Sequence, residues 1–413
     1  MIKFLFYSFI FMFPFENLLQ IVGSKLTLFP ILGFVIFYCI IIAYMAKGEL
    51  TINIKFEDKI ALLFFFYIVV ITFIRGNIFN EFTVLRTYFL LVCFFILVKS
   101  YVRSEKDFNI VGWIIIISLS FSDLFVLLNS VGILNLDITK VYSQGVLRYG
   151  GFLADPNSFA LYNIIGLIYC YFYTQKYKKS SLKTVFVSLM FFVIFISFVL
   201  TVSLEGLIVL FTIFVLVFFQ DLLLVRRQQS STIIFLFFVI VFSIVFSSNK
   251  FKQRLVSKYM QIKYEPFVYW GSTRGACWYA SFELIKSNPL LGVGEETLPK
   301  AILDFYPLST SYIEKKDTHN MYLYIWGGEG IVGLIIYLIF FIGGIFKLKR
   351  VSKLTYLKIE IERKCIYYSI ITFLLFGFFL SCHRKKYLWL FLALSYSFDR
   401  LFQKSGNKIK KRS

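Results

Sequence analysis

Residues 319–346 read HNMYLYIWGGEGIVGLIIYLIFFIGGIF. A histidine and an asparagine close a long polar segment, and an apolar run from 329 to 346 follows, of the length that crosses a bilayer as one helix. Working outward, comparable runs lie near 4–21, 26–46, 60–74, 82–98, 109–129, 157–174, 184–201, 205–224, 231–247, 365–381 and 387–399, which makes twelve expected spans. Composition agrees: 59% of residues are hydrophobic and 16% charged, whereas soluble domains carry about 25% charged residues. The reading is an all-α, polytopic transmembrane helix bundle. The first run follows Lys3 as a signal sequence would, but no small-residue cleavage site precedes Glu16, so a retained span is expected.

The net charge of +21 invites a nucleic-acid reading, which the positions of the basic residues exclude. They crowd one set of connections: Lys47, Lys55 and Lys59; Lys99, Arg103 and Lys106; Lys176, Lys178, Lys179 and Lys183; Arg226 and Arg227; a run from Lys347 to Lys364; and the tail from Arg400 to Arg412. The opposite short connections hold Lys25, Arg75, Lys140, Arg148, Arg384, Lys385 and Lys386. By the positive-inside rule both termini are cytoplasmic. The expected domains are an N-terminal bundle of about nine spans (1–247), one extracytoplasmic loop (248–318), C-terminal spans (319–403) and a basic cytoplasmic tail (404–413).

The loop 248–318 carries Pro266, Pro289, Pro299 and Pro307, and a connection of that length is usually functional. Within it, Thr273 can cap a helix running from Arg274 toward Ser287, with Trp278, Phe282 and Ile285 on one face, lying on or dipping into the outer leaflet. Asn288-Pro289 ends it and Gly292-Val293-Gly294 supplies a turn. Tyr259, Tyr264, Tyr269, Trp270 and Tyr279 are sugar-contact candidates by composition. No internal repeat is evident, which counts against transporter folds built from two similar halves.

Five positively charged or titratable positions stand out near the outer face. His319 can take a proton near neutral pH; the plain alternative is a polar residue that fixes the loop to the tenth span. Arg86 lies inside an apolar run, where a guanidinium is costly unless it functions or snorkels. Arg75, Arg148 and Arg274 lie outside, where a guanidinium fork suits a lipid-linked phosphate. Asp155-Pro156-Asn157 has the chemistry of a helix entry, and Asp155 and Asn157 are held both as caps and as substrate contacts. Asp123 and Glu205 are acids available to pair with these arginines. The glycines at 330 and 333 allow close helix packing behind the histidine.

Converged on one anion, Arg75, Arg86, Arg148 and Arg274 suit a pyrophosphate, and His319 beside them suits glycosyl transfer, as general base toward an acceptor hydroxyl. No D-x-D pair occurs in an outward loop, so the arginines would stand in for a metal. The six cysteines (Cys39, Cys93, Cys170, Cys277, Cys365, Cys382) are scattered and offer no zinc spacing. No cofactor or metal is expected.

Three blocks carry a family resemblance. His319-Asn320, with Gly330-x-x-Gly333 after it, resembles the histidine-centred motif of bacterial O-antigen ligases and the related O-antigen and capsule polymerases. Arg274-x-x-x-Trp278 with Pro289-Leu290-Leu291-Gly292-Val293-Gly294, and Gly151-Phe152-x-x-Asp155-Pro156-Asn157-x-Phe159-Ala160, resemble two further blocks of that superfamily. The resemblance implies an inverting, metal-independent transferase in the bacterial cytoplasmic (inner) membrane, its active site facing outward. Its donor would be an undecaprenyl-pyrophosphate-linked oligosaccharide, and Arg274 and His319 would be functional positions, with Asn320 beside them at the glycan. Membrane lipids, a flippase and a chain-length regulator are the further expected partners.

The family commonly shows Ser-Arg-Gly after the seventh span, whereas this chain has Thr201-Val202-Ser203-Leu204-Glu205-Gly206, so that arginine is absent and Arg86 or Arg148 is left to compensate. A polymerase would extend a lipid-linked repeat unit; a ligase would use the same donor and a lipid A core acceptor. Phe, Ile and Lys richness with sparse Ala suggests an AT-rich genome, and many such bacteria lack lipid A, which favours the polymerase. A lipid-linked oligosaccharide flippase is the reading from a different class, and it predicts short loops rather than the long 248–318 segment.

Overall fold

A computed structural model describes residues 2–16, 35, 38–39, 42, 56–76, 78–143, 146–223, 248–264, 273–306, 317–352 and 359–410. The described residues are almost entirely helical, as expected: α1 (Ile2–Phe11), α2 (Phe56–Ile74), α3 (Ile78–Tyr101), α4 (Glu105–Ser130), α5 (Pro156–Lys176), α6 (Ser181–Leu200), α7 (Leu204–Leu223), α8 (Asn249–Tyr264), α9 (Thr273–Ser287), the single turn α10 (Leu298–Ala301), α11 (Met321–Ser352), α12 (Glu360–Phe376) and α13 (Lys386–Lys410). One antiparallel hairpin, β1 (Lys140–Ser143) and β2 (Val146–Tyr149), pairs Lys140 with Tyr149 and Val141 with Arg148.

Among the described residues four helical stretches are long and apolar enough by themselves to cross a membrane: Ile78–Tyr101, Glu105–Ser130, Ser181–Leu200 and Met321–Arg350. The other expected spans at 60–74, 157–174, 205–224, 365–381 and 387–399 fall on α2, α5, α7, α12 and α13, and the run from residue 4 falls partly on α1. The expected spans at 231–247 and, but for a few positions, 26–46 lie outside the described residues. The loop 248–318 is itself largely helical where described, in α8, α9 and α10.

The chain forms two compact units, residues 1–49 with 110–260 and residues 50–109 with 261–413. In the first, α5 is the central helix, buried on all sides from Ser158 to Tyr173, as a helix apolar all round must be. Small residues let its neighbours close in: a Cβ at Gly166 would sit 2.9 Å from Ile194 of α6 and 3.2 Å from Leu119 of α4. Trp113 of α4 meets Tyr173 of α5 edge-to-face and lies tilted against Tyr177, and Phe15 and Phe152 pack with Phe125 at the other end.

In the second unit the first turns of α13, from Tyr387 to Phe398, are buried against α3, α11 and α12. Phe95, Phe340 and Tyr396 form one aromatic contact set, with centroids 5.1 to 5.9 Å apart, and Trp389 lies 5.6 Å from Phe340. Where α2 begins and α3 ends, the buried Lys99 ammonium meets Asp58 at 2.5 Å and Glu57 at 3.2 Å. Two acids facing one buried base make removal of either side costly, because an uncompensated charge would remain.

Candidate functional site

The site in the second unit is built around a break in α11. Gly330 adopts φ 73°, ψ 177° inside that helix, a conformation essentially confined to glycine. The break frees backbone groups, and four of them take partners from outside the helix. Val293 N–H donates to the Gly327 carbonyl (2.8 Å), Gly294 N–H to Gly328 (2.9 Å), and Ile331 N–H to the Pro289 carbonyl (3.0 Å). Tyr67 Oη donates to the Glu329 carbonyl at 2.7 Å. The turn Pro289–Gly294 is thus laid along the opened helix, joining two of the sequence motifs by backbone hydrogen bonds.

Arg75 fastens the same joint. Its Nη2 donates to the Gly328 carbonyl at 2.7 Å and to the Leu291 carbonyl, and its Nη1 lies 3.8 Å from the buried Glu329 carboxylate. Beside it the buried Glu81 accepts from the Glu296 N–H at 3.1 Å and the Thr297 N–H at 3.4 Å. Gly294 (φ 95°) lies so close that a Cβ there would collide with the Glu81 carboxylate. Gly330 opens the helix and also lets the Pro289–Gly294 turn approach, since a Cβ there would fall on the Leu290 carbonyl, while Gly333 admits Tyr67, which a Cβ would meet at 3.0 Å.

His319 lies on the turn that enters α11. It is half-buried and holds a left-handed φ of 50°, uncommon outside glycine. Its N–H donates to Asp317 Oδ1 at 3.0 Å, and Ser381 Oγ donates to the same oxygen at 2.7 Å. Asn320 caps α11: its Oδ1 accepts from the Tyr322 N–H (2.9 Å) and the Leu323 N–H (3.1 Å). The histidine is thereby fixed on both sides.

Arg274 stands half-buried in the first turn of α9. That helix turns Ala276, Cys277, Ala280 and Leu284 into a core shared with Leu298, Ile302, Tyr306 and Tyr324 of α11. The packing face is thus the small-residue face. Of the residues expected on one apolar face, Ile285 is buried, Phe282 is exposed and Trp278 is intermediate. Arg274 and His319 accordingly ride on two elements joined through Tyr324. Arg86 sits on the exposed side of α3.

Sequence reasoning missed the most charged part of the site. Glu295, fully buried, receives Tyr88 Oη at 2.5 Å and faces His383 Nε2 at 3.3 Å and Arg384 Nε at 3.5 Å, while its carbonyl accepts from Tyr324 Oη at 3.0 Å. Arg384 also lies over the Tyr324 ring, 5.9 Å from its centroid. Burial alone would raise the Glu295 carboxyl; His383 and Arg384, with the His383 and Tyr88 hydrogen bonds, outweigh it and hold the group at about 2. The available signal is the short Cys382-His383-Arg384 run between two apolar spans.

The remaining candidates lie in the first unit. Asp155 caps α5, accepting from the Ser158 N–H at 2.8 Å and the Asn157 N–H at 3.2 Å, with Pro156 in the first turn. Arg148 is buried; its Nε donates to the Thr201 carbonyl and its Nη2 to Asn157 Oδ1, both at 2.8 Å. Ser203 Oγ donates to the same Asn157 oxygen at 2.9 Å. The turn whose sequence departs from the family therefore has an arginine against it, brought from β2, and Val202 within it takes a left-handed φ of 47°. Asp123 is fully buried elsewhere in this unit, where its carbonyl accepts from Ser197 Oγ.

Four helical stretches of membrane-spanning length and composition among the described residues, one of them broken beside a histidine-bearing turn, are those of a multi-pass membrane protein. The O-antigen ligase family model matches residues 189–338, consistent with the resemblance to O-antigen ligases and polymerases carried by the motifs. The match runs from within α6 into α11 and takes in the 201–206 turn, Arg274, the Pro289–Gly294 turn and His319; the Gly151–Ala160 block lies outside it. No curated protein matches the chain. The family supports an O-antigen ligase or polymerase type of function and a glycosyltransferase-like enzyme.

Proposed function

We propose that this protein is a polysaccharide polymerase of the cytoplasmic membrane, transferring an undecaprenyl-pyrophosphate-linked glycan onto a lipid-linked repeat unit at the outer face. The observation that carries the reading is the shared core of α9 and α11, which sets Arg274 and His319 on two elements of one packed body, with His319 fixed by Asp317 and the Asn320 cap. In the proposed step an acceptor hydroxyl attacks the anomeric carbon from the side opposite the leaving group. The bond to the pyrophosphate oxygen breaks and the lipid pyrophosphate departs with the electron pair. The hydroxyl proton passes to the His319 imidazole, and Arg274 stabilises the departing charge. A ligase with a lipid A core acceptor would use the same steps.

Purified protein incubated with lipid-linked repeat units in detergent tests the assignment. Growth of polymer on the lipid carrier is expected without any membrane to cross, which a flippase cannot produce. In the host, gene deletion is expected to leave single repeat units and no long polymer. Long polymer accumulating on undecaprenyl pyrophosphate, unable to reach its final anchor, would instead assign the ligase reaction.

A further inference from the structure

We propose that Arg384 is a further anion-binding residue of this site, a guanidinium fork aimed by Glu295 and Tyr324 to receive the diphosphate of the lipid-linked substrate; the inference rests on the transferase reading above. The geometry is that of a built receptor. Nε of Arg384 faces the buried Glu295 carboxylate at 3.5 Å and its Cζ lies over the Tyr324 ring, so two neighbours orient the head group. Its two terminal nitrogens take no protein acceptor among the described residues, and the side chain is 31% exposed. A guanidinium held at its Nε keeps its two terminal N–H groups for a ligand, and such a fork matches two oxygens of a phosphoryl group.

Position supports the same reading. Arg384 follows Ser381, whose hydroxyl binds Asp317 two residues before His319, and Tyr324 belongs to the core that seats the Arg274 helix. The Arg384 turn is thus tied, through Ser381 and Tyr324, to the elements that carry the proposed base and the proposed donor arginine. His383, with only 1% of its side chain exposed, completes the support: its Nε2 faces Glu295 at 3.3 Å and its carbonyl accepts from Trp389 Nε1 at 3.0 Å. Glu295 touches no substrate in this arrangement. It is a positioning residue, acting through Arg384.

The test measures binding of full-length protein in detergent to undecaprenyl pyrophosphate and, in a parallel arm, to vesicles of zwitterionic lipid containing phosphatidylglycerol. Arg384→Ala is expected to weaken undecaprenyl pyrophosphate binding about ten-fold or more, the scale of losing charge-assisted hydrogen bonds, with vesicle binding nearly unchanged; it also takes a cation from the buried Glu295, so binding is measured at a temperature where wild type and variant are both folded. Arg384→Lys should recover only part, since the charge returns without the fork. In transfer assays the Arg384 variants should raise the donor KM. Glu295→Gln should weaken donor binding in the same direction. An Arg384→Ala protein that binds the lipid pyrophosphate like wild type overturns the inference alone, as does an equal loss toward phosphatidylglycerol, which would mark a general headgroup anchor. Wild-type protein that neither binds nor transfers the lipid-linked donor overturns the functional reading, and this inference with it.

Discussion

At the residue scale, charge and fork geometry separate the roles proposed for the arginines and the histidine. Arg274→Lys is expected to fail nearly as badly as Arg274→Ala in transfer assays, because an ammonium keeps the charge and loses the bidentate match to a phosphate. His319→Ala should insert normally, bind donor, and lose about 10²-fold or more in turnover. Near-normal turnover in that variant would return His319 to a purely structural role, the one its left-handed backbone and Asp317 contact already describe. Glu295 has a pH signature of its own. Its carboxyl is held at about 2, below its ordinary 4.5, so its contribution to stability is complete above about pH 4.5 and is lost as pH falls toward 2. Thermal unfolding in detergent between pH 7 and 2 should show a steeper acid limb for wild type than for Glu295→Gln. Parallel limbs would remove the linkage.

At the scale of elements, the opened helix α11 is the part most open to a single-residue test. Alanine at Gly330 must adopt φ 73°, ψ 177° and place a Cβ against the Leu290 carbonyl. The backbone strain alone is about 1–3 kcal/mol, so Gly330→Ala is expected to lower the unfolding temperature and abolish transfer together, whereas Gly327→Ala, whose Cβ would meet the end of the Leu298 side chain at 2.8 Å, should be milder. Equal unfolding temperatures for wild type and Gly330→Ala would mean that the joint is not under that constraint. The elements themselves were legible where apolar runs coincide with single helices, as in α3, α4 and α6, and where capping chemistry is local, as at Asp155. The break was not, because its hydrogen-bond partners lie some forty residues upstream in Pro289–Gly294 and nothing in the local pattern of α11 reports them. The Glu295 cluster was hidden for the same reason: Tyr88, Glu295, Tyr324, His383 and Arg384 come from four separate segments. For Arg75, the sequence offers a phosphate contact or a headgroup anchor and gives no sign of its backbone partners, which are the carbonyls that the break and the turn leave available.

For the whole molecule, the reading depends on which side of the membrane each connection occupies, and here the net charge of +21 is informative through its uneven distribution along the chain. If the Lys- and Arg-rich connections are cytoplasmic, then Lys140, Ile262 and Thr310 lie outside while Lys178, Gln228 and Thr355 lie inside. Single cysteines at the first three positions, in a cysteine-free background, are expected to react with an impermeant thiol reagent in whole cells; those at the second three should react only after lysis. Cys170, Cys277, Cys365 and Cys382 are buried, so the background is better made with alanine than with serine, which would bury an added hydroxyl. The reagent result at residue 262 decides most, since a lipid-linked donor is taken from the outer face only if the 248–318 segment is there. Labelling at 262 confined to lysed cells would place Arg274 and His319 on the cytoplasmic side and remove the transferase reading at its root, whatever the local geometry around the two residues allows.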